Sequence, residues 1–186
     1  MSRFHLHSTP IVGVTVVERQ RRGDERGFLA RLFCTEDLVA AGWTWPVAQL
    51  NESFTARQGA IRGMHFQHAP DGEAKLVSCM RGSVFDVALD LRRGSPTFLQ
   101  HHGELLSAEN GRAMLLPPGV AHGFQSLTDD VLLLYAHSAA YAPDSEGGVN
   151  PFDPRAGIAW PLPPGDLSNR DRDRPMLDAA FNGVEA

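Results

Sequence analysis

Cysteine is nearly missing from this chain: Cys34 and Cys79 are the only two. Both stand in apolar surroundings, where a free thiol behaves as a small hydrophobe, so a disulfide-stapled scaffold is excluded and a reduced compartment is expected. No apolar run approaches the length of a membrane span, and the segment Met1-Ser2-Arg3-Phe4-His5-Leu6-His7 lacks the apolar stretch of an export signal. The expectation is a soluble, unexported, cytoplasmic protein with no membrane partner. Blocks of Lys and Arg are lacking too, and the formal charge is −5. Nucleic acid is therefore not expected as a partner, because non-specific binding to a phosphate backbone needs an extended basic surface. No repeat, low-complexity tract or compositional break divides the 186 residues. One domain over 1–186, long enough for a well-buried core, is the simplest organisation.

What the chain does contain is a succession of short β-rich segments near 11–17, 28–34, 48–54, 59–66, 74–80, 83–91, 97–106, 112–117, 121–127 and 130–138, separated by Gly, Pro, Asn and Asp. Frequent short strands with turns between them predict an all-β sandwich or barrel. Arg81-Gly82 is a tight-turn candidate, and Arg93-Gly94-Ser95-Pro96 breaks the chain again. One helix is expected, with Thr35 capping Glu36 to Ala41 and Gly42 as its stop. After Tyr141 the chain is rich in Pro, Gly, Asp and Asn, which predicts loops and short helical turns wrapping the core.

Against that apolar frame, Arg62-Gly63-Met64-His65-Phe66-Gln67, then Lys75-Leu76-Val77 and Asp86 to Arg92, place charged and imidazole groups on successive strands. Such groups are rarely buried unless paired or functional, so these strands read as the lining of a pocket for an anionic ligand. Along Ser83 to Leu91, alternation puts Val84, Asp86, Ala88 and Asp90 on one face and Phe85, Val87 and Leu89 on the other. In a barrel that encloses a ligand cavity, the carboxylate-bearing face can be the inner one.

Further strings occur in order: Asp24-Glu25-Arg26-Gly27-Phe28, Gln49-Leu50-Asn51, Ser95-Pro96-Thr97-Phe98, Leu106-Ser107-Ala108-Glu109-Asn110, Pro117-Pro118-Gly119-Val120-Ala121-His122-Gly123-Phe124 and Ile158-Ala159-Trp160-Pro161. Together with the Arg62 to Gln67 motif they resemble the dTDP-4-dehydrorhamnose 3,5-epimerase family over roughly residues 10 to 177. The resemblance implies a cupin-type jelly roll (double-stranded β-helix), a homodimer, and cofactor-independent epimerisation of a nucleoside-diphosphate 4-keto-6-deoxyhexose. Removing a hydrogen alpha to a ketone needs a base, a partner for the enolate oxygen and a proton donor on the opposite face.

By the same resemblance His65 is the base, a role suited to an imidazole that titrates near neutrality. Asp171 is its partner, fixing the tautomer and stabilising imidazolium, with Asp173 the nearby competitor. Lys75 is the enolate stabiliser and Tyr135 the acid on the far face, while Tyr141 competes for that role or walls the ligand. Arg26, Arg62 and Gln49 match diphosphate and nucleotide positions, where guanidinium forks suit phosphate oxygens. Asn51 and Ser53 add polar contacts. His122 resembles a pocket residue bonded near the sugar or to an internal carboxylate such as Asp86. Each has a plainer alternative: solvated arginines, a strand-end lysine that snorkels to water, core tyrosines, satisfied core histidines.

Many members of the family carry Glu where this chain has Arg31. A carboxylate accepts a hydrogen bond from the thymine N–H, whereas arginine only donates, so base recognition would move to another residue or another base. Two further readings compete. His65, His68, Glu73 and His122 include metal-ligand types, but Gln67 stands where a two-residue histidine spacing needs its second imidazole, and His68 would point outward on a continuous strand. A binding module without turnover would keep Arg26 and Arg62 and lose the chemistry, yet His65, Lys75, Tyr135 and Asp171 are all present.

Overall fold

The computed structural model describes residues 3–186. In chain order its strands are β1 (Phe4–Ser8), β2 (Thr15–Arg19), β3 (Arg21–Asp24), β4 (Gly27–Ala30), β5 (Gln49–Thr55), β6 (Ile61–Gln67), β7 (Lys75–Arg81), β8 (Ser83–Asp90), β9 (His101–Ser107), β10 (Arg112–Leu116), β11 (Val120–Ser126), β12 (Val131–His137) and β13 (Glu146–Gly148), with short helices α1 (Thr35–Leu38) and α2 (Asn169–Arg172). Two antiparallel sheets face each other. One runs β1-β2-β10-β7-β12-β5 and the other β13-β6-β11-β8-β9, while β3 and β4 form a separate hairpin. This is the jelly roll the resemblance implies.

Strand alternation decides which residues meet between the sheets. Val77 and Cys79 on β7, Val131 and Leu133 on β12, Val84 and Ala88 on β8, and Val120 and Phe124 on β11 share one fully buried cluster. The same period carries the inner face onward to Lys75 on β7 and Tyr135 on β12, and sets Asp86 and His122 among the apolar residues of β8 and β11. The space between the sheets is thus apolar at one end and polar at the other. Opposite faces are also covered. Leu76, Leu115 and Ala113 pack under Leu38 and Trp43, and Met64, Phe66, Val87 and Leu89 pack under the C-terminal segment through Val149, Ala156 and Val184.

Gly82 turns β7 into β8 with φ +73, as the Arg81-Gly82 pair predicts. The helix differs from its expectation. Thr35 is its first residue, not its cap, because the extended residue before it is Cys34 and no side chain caps the turn. Four α-helical residues tighten into a 3₁₀ turn, Val39–Ala41, which Gly42 ends in the left-handed region. Burial of Leu38 and Ala41 against Trp43 holds this segment in place of a cap.

Candidate active site

A cavity of about 1030 Å³ opens at the polar end of the sandwich, and His65, Lys75, Tyr135, Asp171, Gln49, Asn51, Arg62, His122 and Tyr141 all line it. His65 projects inward from β6 while its neighbours Met64 and Phe66 pack on the outer face. Its Nε2 lies 2.5 Å from Asp171 Oδ1. Asp171 is brought there by α2, where Ser168 caps the first turn by accepting a hydrogen bond from the Asp171 N–H at 3.0 Å. Burial alone would raise the Asp171 carboxyl, but hydrogen bonds from His65, Ser168 and the Gly63 backbone hold it below the ordinary carboxylate range. An ionised Asp171 fixes the His65 proton on Nε2 and leaves Nδ1 as the basic atom. His65 stands beside His122 in the β6–β11 register. That approach depends on Gly63, at φ +128, where a Cβ would sit 2.5 Å from the Gly123 Cα.

Lys75, the chain's single lysine, enters from the opposite sheet. Its Nζ donates to the His65 carbonyl at 3.1 Å and lies 2.7 Å from Glu73 Oε1, both residues of that ion pair being buried. An ammonium has three donors, so one N–H remains for a ligand oxygen. Tyr135, next strand along, faces His122 edge-on at 5.8 Å between ring centroids. Burial first, and then the Asp86 carboxylate, push its phenol far above the ordinary range, and nearby Ser53 and Arg62 do not offset this. The hydroxyl therefore keeps its proton at any physiological pH. His122 is satisfied internally, with Nε2 2.7 Å from Asp86 Oδ1.

Gln49, Asn51 and Ser53 alternate along the cavity face of β5. The Arg62 guanidinium is anchored by Thr55 Oγ1 and the Phe54 carbonyl, both at 3.1 Å. Tyr141 stands at the mouth, half exposed, donating its hydroxyl to Glu146 at 2.7 Å. Glu146 also pairs with Arg170 and Arg174. Sequence reasoning missed several polar cavity residues, among them Arg57, Arg170, Glu146 and His137. Asp173, the competitor for the dyad, ends α2 outside the cavity lining.

Arg26 is not brought to this cavity. It lies between β3 and β4 on a hairpin exposed along its length, with its guanidinium on Asp24. Arg31 is also outside, paired with Asp37 at 2.9 Å beside α1. His68 is exposed, and its ring packs edge-on against Phe66 and not into the cavity. Among the described residues, no group of three or more His, Cys, Asp or Glu side chains is arranged to hold a metal ion.

Residues 8–179 match the family model described as dTDP-4-dehydrorhamnose 3,5-epimerase. The chain is 42% identical over 178 residues to a dTDP-4-dehydrorhamnose 3-epimerase of Streptomyces niveus, covering 95% of this chain and 86% of that protein. It is 41% identical over 179 residues to a dTDP-4-dehydrorhamnose 3,5-epimerase of Salmonella typhimurium, covering 93% and 95%. The crystal structure of a dTDP-4-dehydrorhamnose 3,5-epimerase from Bacillus anthracis, with TDP and pyrophosphate bound, superposes with a TM-score of 0.90 at 37% identity and covers 94% of this chain and 99% of that one.

Proposed function

Because the chain belongs to the dTDP-4-dehydrorhamnose 3,5-epimerase family, and so to the carbohydrate epimerases of the isomerase class, we propose that it inverts a dTDP-linked 4-keto-6-deoxyhexose at C3, C5 or both, in deoxysugar biosynthesis. The observation that carries this reading is the His65–Asp171 pair at 2.5 Å on one wall of a cavity whose other wall presents Lys75 and Tyr135. His65 Nδ1 takes the alpha hydrogen as a proton, the C–H pair becomes the enolate double bond, and the carbonyl pair moves onto oxygen beside Lys75. Tyr135 then returns a proton from the opposite face. Arg62 and Arg170 meet the diphosphate, with Gln49, Asn51, His122 and Tyr141 shaping the rest of the substrate site. The test is incubation with 4-keto dTDP-sugars in deuterium oxide. Deuterium at a carbon alpha to the ketone supports the reading, and its absence from every such substrate overturns it.

Identity does not choose between single and double inversion, since a 3-epimerase and a 3,5-epimerase match almost equally well. Placement of the sugar against the two walls decides it, and the carbons that exchange report it directly. Asp171→Asn should lower the exchange rate by about 10²-fold or more, because the amide leaves the imidazole tautomer unfixed and imidazolium unsupported. The same variant should lose an acid-sensitive part of its stability. A carboxyl held below its unfolded value contributes stability that is present above that value and disappears as pH falls through the folded one, so the variant's unfolding midpoint should change less than wild type's below about pH 4. No step in this chemistry requires a Lewis acid, and prolonged chelation should leave the rate unchanged. Loss of activity restored by one metal per chain would reinstate the metal-dependent alternative.

The working unit we propose is a cytoplasmic homodimer, with residues 1–186 acting as one domain in each copy. The β3–β4 hairpin leaves Phe28 61% and Leu29 73% exposed, and Leu50 and Phe54 lie bare on the outer face of β5. A second copy would cover such apolar surface. It would also give Arg26 a phosphate to meet, in the partner's cavity and not in its own. Mixing inactive His65→Asn with weakened Arg26→Ala should then restore activity, because a mixed dimer contains one cavity with both residues intact. No recovery on subunit exchange, or a monomeric mass in solution, would remove Arg26 from the site.

A further inference from the structure

His137 is a cavity residue with no role so far, and a chain of hydrogen bonds fixes which of its nitrogens carries the proton. The Tyr141 backbone N–H can only donate, and it meets Gln49 Oε1 at 3.0 Å. That turns the Gln49 amide nitrogen toward Asn51 Oδ1, also at 3.0 Å. Each amide has one accepting end and one donating end, so Asn51 presents its nitrogen to His137 Nε2, at a long 3.5 Å. Nε2 is thereby the acceptor, and a neutral ring carries its proton on Nδ1. The ring is neutral because burial, then the positive charge of Lys75, then His122, bring its pKa down to about 4. Among the described residues Nδ1 has no hydrogen-bond partner.

Position then gives this donor a use. His137 and Lys75 are register partners on β12 and β7, so their side chains leave the sheet as neighbours on its cavity face. The His137 ring is also stacked on Tyr135, 5.9 Å between centroids and 19° between planes. An oxygen that accepts the spare N–H of Lys75 comes within reach of the imidazole beside it. We propose that His137 is a second, uncharged donor to the substrate's ketone oxygen, sharing with Lys75 the negative charge that develops there as His65 removes the alpha proton. The inference rests on the epimerase reading above. No proton leaves His137: the carbonyl electron pair moves onto oxygen, the Nδ1–H bond to it strengthens, and both revert on reprotonation. A neutral imidazole suits this place because a second cation beside Lys75 would be repelled, and neutral histidine is an established way to polarise a carbonyl.

Three variants test it, read by solvent deuterium exchange and by dTDP affinity. His137→Phe keeps the ring against Tyr135 and removes the donor, so the exchange rate should fall about 10²- to 10³-fold while dTDP binds within about twofold of wild type. His137→Asn places an amide nitrogen near the position of Nδ1 and should recover more of the rate than His137→Gln, whose amide reaches toward the position of Nε2. Wild-type exchange in the Phe variant, or a Gln variant faster than the Asn variant, would overturn the proposal. If the Phe variant also loses dTDP binding, the Asn and Gln pair, of equal polarity, decides. A wild-type enzyme that exchanges no deuterium at all would overturn the epimerase reading, and this inference with it.

Discussion

His65→Asn should abolish deuterium exchange at every carbon alpha to the ketone, a loss of at least about 10³-fold, while dTDP still binds. The variant keeps a polar side chain on β6 but has no atom that accepts a proton near neutrality. The other imidazoles of the cavity and its buried phenol cannot substitute. His122 is occupied by Asp86, His137 is shielded from protonation, and the Tyr135 phenol is held far above the range in which it could act as a base. Nucleotide affinity should survive because Arg62 is anchored independently of the dyad, by Thr55 and the Phe54 carbonyl. Exchange at the wild-type rate would remove the base from this residue. Loss of dTDP binding together with exchange would indicate collapse of the cavity, and thermal unfolding of the variant separates that case.

The strands that carry the site were legible because each has one face in the core. On β7, β8, β11 and β12 the inward-facing apolar residues recur at every second position, and the polar residues that replace some of them on that face are visible in the amino-acid order. The β3–β4 hairpin was not legible, and the segment expected at 28–34 ends as strand at Ala30. That hairpin packs no face against its own chain, so no hydrophobic period marks it. Most of β1 is exposed apart from Phe4, for the same reason an edge strand leaves little signal. The pairing of His65 with Asp171, 106 residues apart, came through the family resemblance, since α2 is four residues long and has no period to read. His137 was within reach of sequence reasoning. It lies two residues after Tyr135, and strand alternation puts both on one face. Arg170 had no such marker, being one cation in the polar run that also holds Arg172 and Arg174.

Tyr135→Phe should separate proton removal from proton delivery. His65 and Lys75 are untouched by this change, so the enolate still forms. His65 belongs to the β13-β6-β11-β8-β9 sheet and Tyr135 to the other, so a sugar held between them presents opposite faces to the two groups. Without the phenol, the proton on His65 is the one at hand, and it returns to the face it left. After exchange of that proton with solvent, deuterium enters the sugar with its configuration retained. The expected result is exchange at a substantial fraction of the wild-type rate with net epimerisation reduced by about 10²-fold or more. Tyr141 is the contrasting control: its hydroxyl stands at the mouth and is already bonded to Glu146. Tyr141→Phe should therefore alter substrate affinity more than the ratio of inversion to exchange. If Tyr141→Phe uncouples the two and Tyr135→Phe behaves as wild type, the acid is Tyr141. If both variants epimerise normally, water or another group delivers the proton, and the two-walled arrangement of base and phenol has no part in setting the stereochemistry.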